Sequence, residues 1–270
     1  MSRCDDVVMS RCNVSAAIPD IHHRYMTSPH HDIATSPHAV GRDRALLEVI
    51  LCSDFPTQFA IGALLAKLGV LPTDNGQLSM RFVYLVSAID TVVLLALILL
   101  LLRLSGDRPR DVFLGAGQPT REFAVGLAFV PVAFAIVMLL QIVIHVGAPF
   151  LRNVPENPFQ SLLGSPLQVV GFILLVFIAG GVREELQRAF LLHRFETSLG
   201  GARVGLVVTS AAFGLGHFVQ GWDAMLVTAM LGALWGSVYL WRRSVIPTVV
   251  SHACFNAGEV LLGYYVLAPG

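Results

Sequence analysis

Residues 169–196 read VVGFILLVFIAGGVREELQRAFLLHRFE, and this stretch decides the fold. From Val169 to Val182 there is no ionisable side chain; Arg183, Glu184, Glu185, Gln187 and Arg188 then arrive together, and the run turns apolar again at Ala189, Phe190, Leu191 and Leu192. A charged cap on a helix that had left the membrane would not resume in this way. A carboxylate in hydrocarbon is costly, so an intramembrane Glu generally faces a protein interior or a water-filled cavity and marks a functional site. The stretch therefore predicts a membrane helix that carries part of an active site.

Composition extends this outward. The chain of 270 residues is 55% hydrophobic and 13% charged, with a mean hydropathy of +0.69. A soluble domain of that composition could not wet its surface. The formal net charge is zero, which offers no field for nucleic acid. Cys4, Cys12, Cys52 and Cys254 show no CxxC spacing and imply no disulfide framework.

The expected fold is an all-α polytopic transmembrane helix bundle of about seven spans, eight if one helix is re-entrant or split. Apolar segments fall at residues 46–65, 82–102, 123–146, 169–196, 204–219, 224–240 and 245–267. The first is interrupted by Glu48, Asp54 and Pro56. Residues 1–43 read as a disordered polar tail. His22, His23, His30, His31 and His38, with Cys4 and Cys12, fit no tetrahedral metal template there. Residues 44–164 then form N-terminal transmembrane helices with connectors, and residues 165–270 a catalytic transmembrane core. Arg residues gather in alternate loops, which puts the N-terminus on the cytoplasmic side. The expected location is multi-pass in the bacterial cytoplasmic membrane, with membrane lipid as one partner and no nucleic acid.

Polar groups recur in three of the later segments: Glu184, Glu185 and Arg188, then His217, then His252 with Asn256. Helical spacing sets Glu184 beside Arg188 and His252 beside Asn256. At a rise of ~1.5 Å per residue, all lie roughly 10–20 Å from one boundary, a single layer. Such a set suits amide hydrolysis: a buried Glu as general base for water, a His to orient it, and His252 with Asn256 as oxyanion donors. The same groups suit a divalent metal such as zinc on His217 and His252 with Glu184, and sequence leaves the two open. Arg188 is expected to pair with a Glu carboxylate. Asp90 and His145 read as structural or interfacial, and Gly232 with Gly236 as close packing within the bundle.

These residues also form ordered motifs: REELQR at 183–188, FGLGH at 213–217 and HACFN at 252–256. The set resembles the CPBP intramembrane protease family, which includes the type II CAAX endopeptidases (CAAX prenyl protease 2) and bacteriocin-processing or self-immunity proteins. That family is marked by EExxxR, FxxxH and HxxxN or HxxxD. The resemblance implies an intramembrane endopeptidase, of metallo- or glutamate type, acting on a membrane-associated protein or peptide. The first motif departs from the pattern, with one residue fewer between Glu185 and Arg188. Anchoring on Arg188 puts Arg183 and Glu184 at the two Glu positions, and Glu184 is then the expected base, with Glu185 second. Two rival expectations follow: a proteolytically inactive member serving as a membrane scaffold or immunity protein, and a proton-coupled transporter.

Overall fold

The computed structural model describes residues 39–155 and 157–267. The tail metal candidates therefore lie outside the described residues, and the first helix, α1 (Arg42–Leu51), begins inside the boundary drawn for that tail. Helix α2 (Phe55–Lys67) follows. The two form a pair bent by 41°, broken at Asp54, which adopts φ 81°. The expected first span is thus a broken one. A short hairpin pairs Thr73–Asp74 with Gln77–Leu78 through Asn75 and Gly76. Both turn residues have positive φ, the conformation that Asn-Gly adopts in a tight hairpin.

Helix α3 (Met80–Leu104) starts at Ser79, whose hydroxyl accepts from the Phe82 N–H at 3.3 Å. The connector after it folds into the short α4 (Pro109–Phe113). Helix α5 (Pro119–Gly147) has Pro119 at its first position, where no N–H is needed. Two 3-10 turns, Pro149–Leu151 and Pro158–Leu162, occupy the Pro-rich loop. Helix α6 (Pro166–Val176) is capped by Ser165, winds through a π-helical segment (Phe177–Arg183), and continues as α7 (Glu184–Ser198). Gly200 and Gly201, at φ 106° and 96°, make the turn into α8 (Ala202–Leu215). Helices α9 (Trp222–Arg242) and α10 (Ile246–Leu267) complete the bundle.

Among the described residues, α3, α5, the continuous run Pro166–Ser198 and α9 are long and apolar enough to cross a membrane, four helices, or five with the bent α1–α2 pair. The seven spans expected from sequence are not reproduced. Helix α8 has 14 residues, which at ~1.5 Å per residue covers about 21 Å, less than the ~30 Å hydrocarbon core. It stops because the chain turns at Gly216 and His217 into the 3-10 turn Phe218–Gln220. Helix α10 is long enough at 22 residues but carries His252, Asn256 and Glu259. The outward faces stay apolar, as at Met138, Leu139 and Ile142 of α5. The chain is an integral membrane protein whose helices satisfy their own backbone groups.

Glycines set the closest approaches. A Cβ on Gly126 of α5 would lie 2.7 Å from the Pro247 carbonyl oxygen of α10. One on Gly236 of α9 would lie 2.5 Å from Leu206 of α8, and one on Gly232 3.1 Å from Phe213. The GxxxG pair thus packs within the bundle, as expected.

One end of the bundle is stitched by ions. Arg194, fully buried in α7, donates to Glu48 of α1 at 2.5 Å, to Asp107 at 2.6 Å and to Ser105 at 2.8 Å. Glu48, which interrupts the first apolar segment, is therefore a buried partner. Arg242 pairs with Glu122, and Arg243 with Glu196 at 2.5 Å.

Candidate active site

The π-helical segment positions the site. Gly180 and Gly181 carry no side chain where α10 comes closest: a Cβ on Gly181 would meet Ala253 at 2.6 Å, and one on Gly180 would meet the Asn256 amide nitrogen at 2.5 Å. Glycine at 181 is needed for α10 to dock, while a side chain at 180 would push the Asn256 amide aside, and docking brings His252 and Asn256 against the start of α7. Single-turn π insertions recur at functional sites, where the extra residue redirects the side chains that follow.

Glu185 is buried at 1% exposure. Its Oε1 accepts from the Arg188 guanidinium and from His252 Nδ1, the latter at 2.8 Å. Its Oε2 has no hydrogen-bond partner among the described residues. The i,i+3 spacing sets Glu185 and Arg188 on one face of α7. The Glu carboxylate that Arg188 takes is that of Glu185, while Glu184 turns to Arg183, whose NH2 donates to Glu184 Oε1 at 3.1 Å. Glu184 Oε2 lies 3.8 Å from His252 Nε2, beyond hydrogen-bond range. Both glutamates therefore face the same imidazole, one on each nitrogen.

Aromatic rings wall this centre. His252 stacks on Trp235 with ring centroids 3.7 Å apart at 17°, and meets Phe213 edge-on at 5.9 Å. The Arg188 guanidinium lies 4.4 Å from the Phe213 centroid, a cation–π contact that helps offset burial of its charge. Trp235 donates through Nε1 to Ser251 at 3.2 Å, which fixes the indole.

The hydrogen bonds also assign tautomers. His217 Nδ1 lies 2.9 Å from the Phe213 carbonyl, which can only accept, so Nδ1 carries the proton. His252 Nδ1 faces a carboxylate paired with Arg188, so there too Nδ1 carries the proton. In their neutral forms both rings keep a lone pair on Nε2.

Not every expected residue converges. No hydrogen bond or ion pair joins His217 to Glu184 or Glu185 among the described residues; it packs on the Phe213 ring at 5.0 Å, as His252 does. The metal set expected from His217, His252 and Glu184 is not formed: among the described residues no group of three or more His, Cys, Asp or Glu is placed to hold a metal ion. His217 sits beyond the end of α8, held to Phe213, while His252 is held by Glu185 and Trp235.

Asp90 and Trp235 carry more of the site than the sequence suggests. Asp90, read as structural or interfacial, is fully buried and accepts from Arg183 at 3.0 Å, and Asp54 accepts from the same NH1. Arg183, a candidate for a Glu position in the motif, turns from the histidines toward these two. The one signal in the sequence is an unpaired Asp90 inside a strong apolar segment. Trp235 leaves a fainter trace, flanked by the packing glycines Gly232 and Gly236.

The fold defines a helical membrane protein with a buried Glu, Arg and His centre between α7 and α10. A family model, "Type II CAAX prenyl endopeptidase Rce1-like", matches residues 166–258. The match runs from α6 into α10 and supports the resemblance to the CPBP proteases over this segment. No curated protein and no solved structure matches the chain.

Proposed function

We propose that the chain is an intramembrane endopeptidase of glutamate type, with residues 165–270 as its catalytic core. The observation that carries the reading is the pair of contacts on His252: Glu185 on Nδ1 at 2.8 Å and Glu184 Oε2 facing Nε2 at 3.8 Å. A water donating to both Glu184 Oε2 and His252 Nε2 fits that gap. Glu184 takes its proton as the oxygen attacks the scissile carbonyl carbon, and later passes that proton to the leaving amine.

Glu185 and Arg188 act through His252, holding its tautomer and ring plane. Asn256, whose amide nitrogen reaches the π segment, donates to the developing oxyanion. His252 Nε2 keeps its lone pair and orients the attacking water by accepting from it, and His217 assists across Phe213. The substrate class that the family match supports is a membrane-associated peptide with a CAAX-type C-terminus. Arg242 and Arg243 at the end of α9 support a cytoplasmic face for the Arg194 end of the bundle.

The test is cleavage of a farnesylated, fluorogenic CAAX-type peptide by the protein in nanodiscs. Glu184→Gln should lower kcat by about 10²–10⁴-fold with the thermal midpoint close to wild type. Glu185→Gln should lower both activity and stability, since it breaks a buried ion pair. The shortened first motif supports one rival, an inactive scaffold: a cellular phenotype that survives both substitutions, with no cleavage by wild type, would establish it instead.

A further inference from the structure

Arg183 lies at the centre of an anion cluster that reaches beyond the family match, since its partners Asp54 and Asp90 both precede residue 166. Its NH1 serves Asp54 and Asp90, and its NH2 serves Glu184 Oε1. One guanidinium thus holds three carboxylates. Arg183 and Asp90 are buried, and each keeps one polar atom, Nε and Oδ1, without a partner among the described residues.

Asp54 is anchored with care. Its other carboxylate oxygen accepts from Gln58 at 2.7 Å, and the neighbouring Cys52 carbonyl accepts from Gln187 of α7 at 2.8 Å. Asp54 is also a non-glycine residue at φ 81°, ψ −37°. Such a backbone persists where the surroundings over-determine it, and these outliers gather at functional sites.

We infer that Asp54 and Asp90 are positioning residues for the reaction, holding Arg183 by NH1 so that it takes only Oε1 of Glu184 and leaves Oε2 free to face His252. This rests on the peptidase reading. A guanidinium released from both Asp residues would chelate Glu184 through both carboxylate oxygens, the preferred fork geometry, and withdraw the base from the water. The corner between α1 and α2 is then part of the catalytic machinery although it touches no reacting atom.

The experiment measures kcat, KM and thermal midpoint in nanodiscs with the same farnesylated peptide. Asp54→Asn keeps the backbone, because Asn tolerates positive φ, and should lower kcat about ten- to a hundredfold with KM within about twofold. Arg183→Lys keeps the charge but not the fork and should show the same split. A triple variant, Asp54→Asn, Asp90→Asn and Arg183→Gln, removes the charges together, so it should recover the thermal midpoint yet not kcat, because Glu184 then lacks the Arg183 contact that holds its Oε1 and aims Oε2 at His252. If the triple variant recovers kcat as well, or if Asp54→Asn and Arg183→Lys turn over like wild type, the cluster serves stability alone and the inference falls. A wild-type protein that cleaves nothing would overturn the peptidase reading itself, an outcome distinct from active wild type with indifferent Asp54 variants.

Discussion

The run from Pro166 to Ser198 carries two buried ion clusters, and they are built differently. Around Arg194 the guanidinium is saturated: Glu48, Asp107, Ser105 and the Leu101 carbonyl take its donors, and among the described residues the one unpartnered buried atom beside them is His193 Nε2, 3.3 Å from Asp107. Around Arg183 and Glu185, by contrast, Arg183 Nε, Asp90 Oδ1 and Glu185 Oε2 have no partner among the described residues. A saturated cluster ties helices together. An unsaturated one retains polar atoms that are costly to bury and able to engage a reactant. The same physical ingredient thus does two jobs on one helix.

Breaking the saturated cluster should have the largest effect on stability. Arg194→Met strips Asp107 of its buried guanidinium and leaves Glu48 with Arg44 alone, and should destabilise by about 3–5 kcal/mol, read as the shift in unfolding midpoint in mild detergent. Replacing Glu48 and Asp107 by Gln and Asn in the same chain should recover part of that loss. If Arg194→Met unfolds like wild type, the two clusters are not distinct in kind.

The next substitution tests the other cluster. Gly181→Ala places a methyl 2.6 Å from the Ala253 side chain, too close for both helices to stay in place. Moving α10 should cost about 1–3 kcal/mol and should also displace His252 and Asn256, so that cleavage falls further than stability does. An unchanged kcat would separate α10 docking from the chemistry.

The smallest effect concerns pH. Burial pushes the Asp107 carboxyl up, but hydrogen bonds from Arg194 and Ser105, with the nearby charges, outweigh it and hold the group below its ordinary value. A lowered folded-state value stabilises the fold above the unfolded pKa, and that contribution is lost as pH falls through the folded value. The unfolding midpoint should therefore decline on acidification through the carboxylate range, and Asp107→Asn should flatten that decline. A variant with the same acid dependence as wild type would assign it to other carboxylates.

Much of this was legible in residues 169–196. The hydropathy of that stretch required a membrane helix, and its carboxylates required buried partners. The motifs at 213–217 and 252–256 led to His252 and Asn256, because short spacings on one helix map directly onto one face. Long-range pairings were not legible: that Glu48 meets Arg194 and Asp90 meets Arg183 depends on how α1 and α3 pack on α7. The π segment was hidden for a similar reason. Periodicity assumes 3.6 residues per turn, so an extra residue moves Arg183, Glu184 and Glu185 to faces that a plain helix would not assign. The count of seven spans is not confirmed at α8, where hydropathy runs on through His217 while the backbone has already turned.

The stack of Trp235 on His252 has an optical consequence. An indole in face contact with an imidazole, at 3.7 Å and 17°, is quenched differently by the neutral and the cationic ring. The chain has three tryptophans, so leaving Trp235 as the sole one is a short piece of engineering. Its emission would then follow the proton on His252 during turnover, without any label.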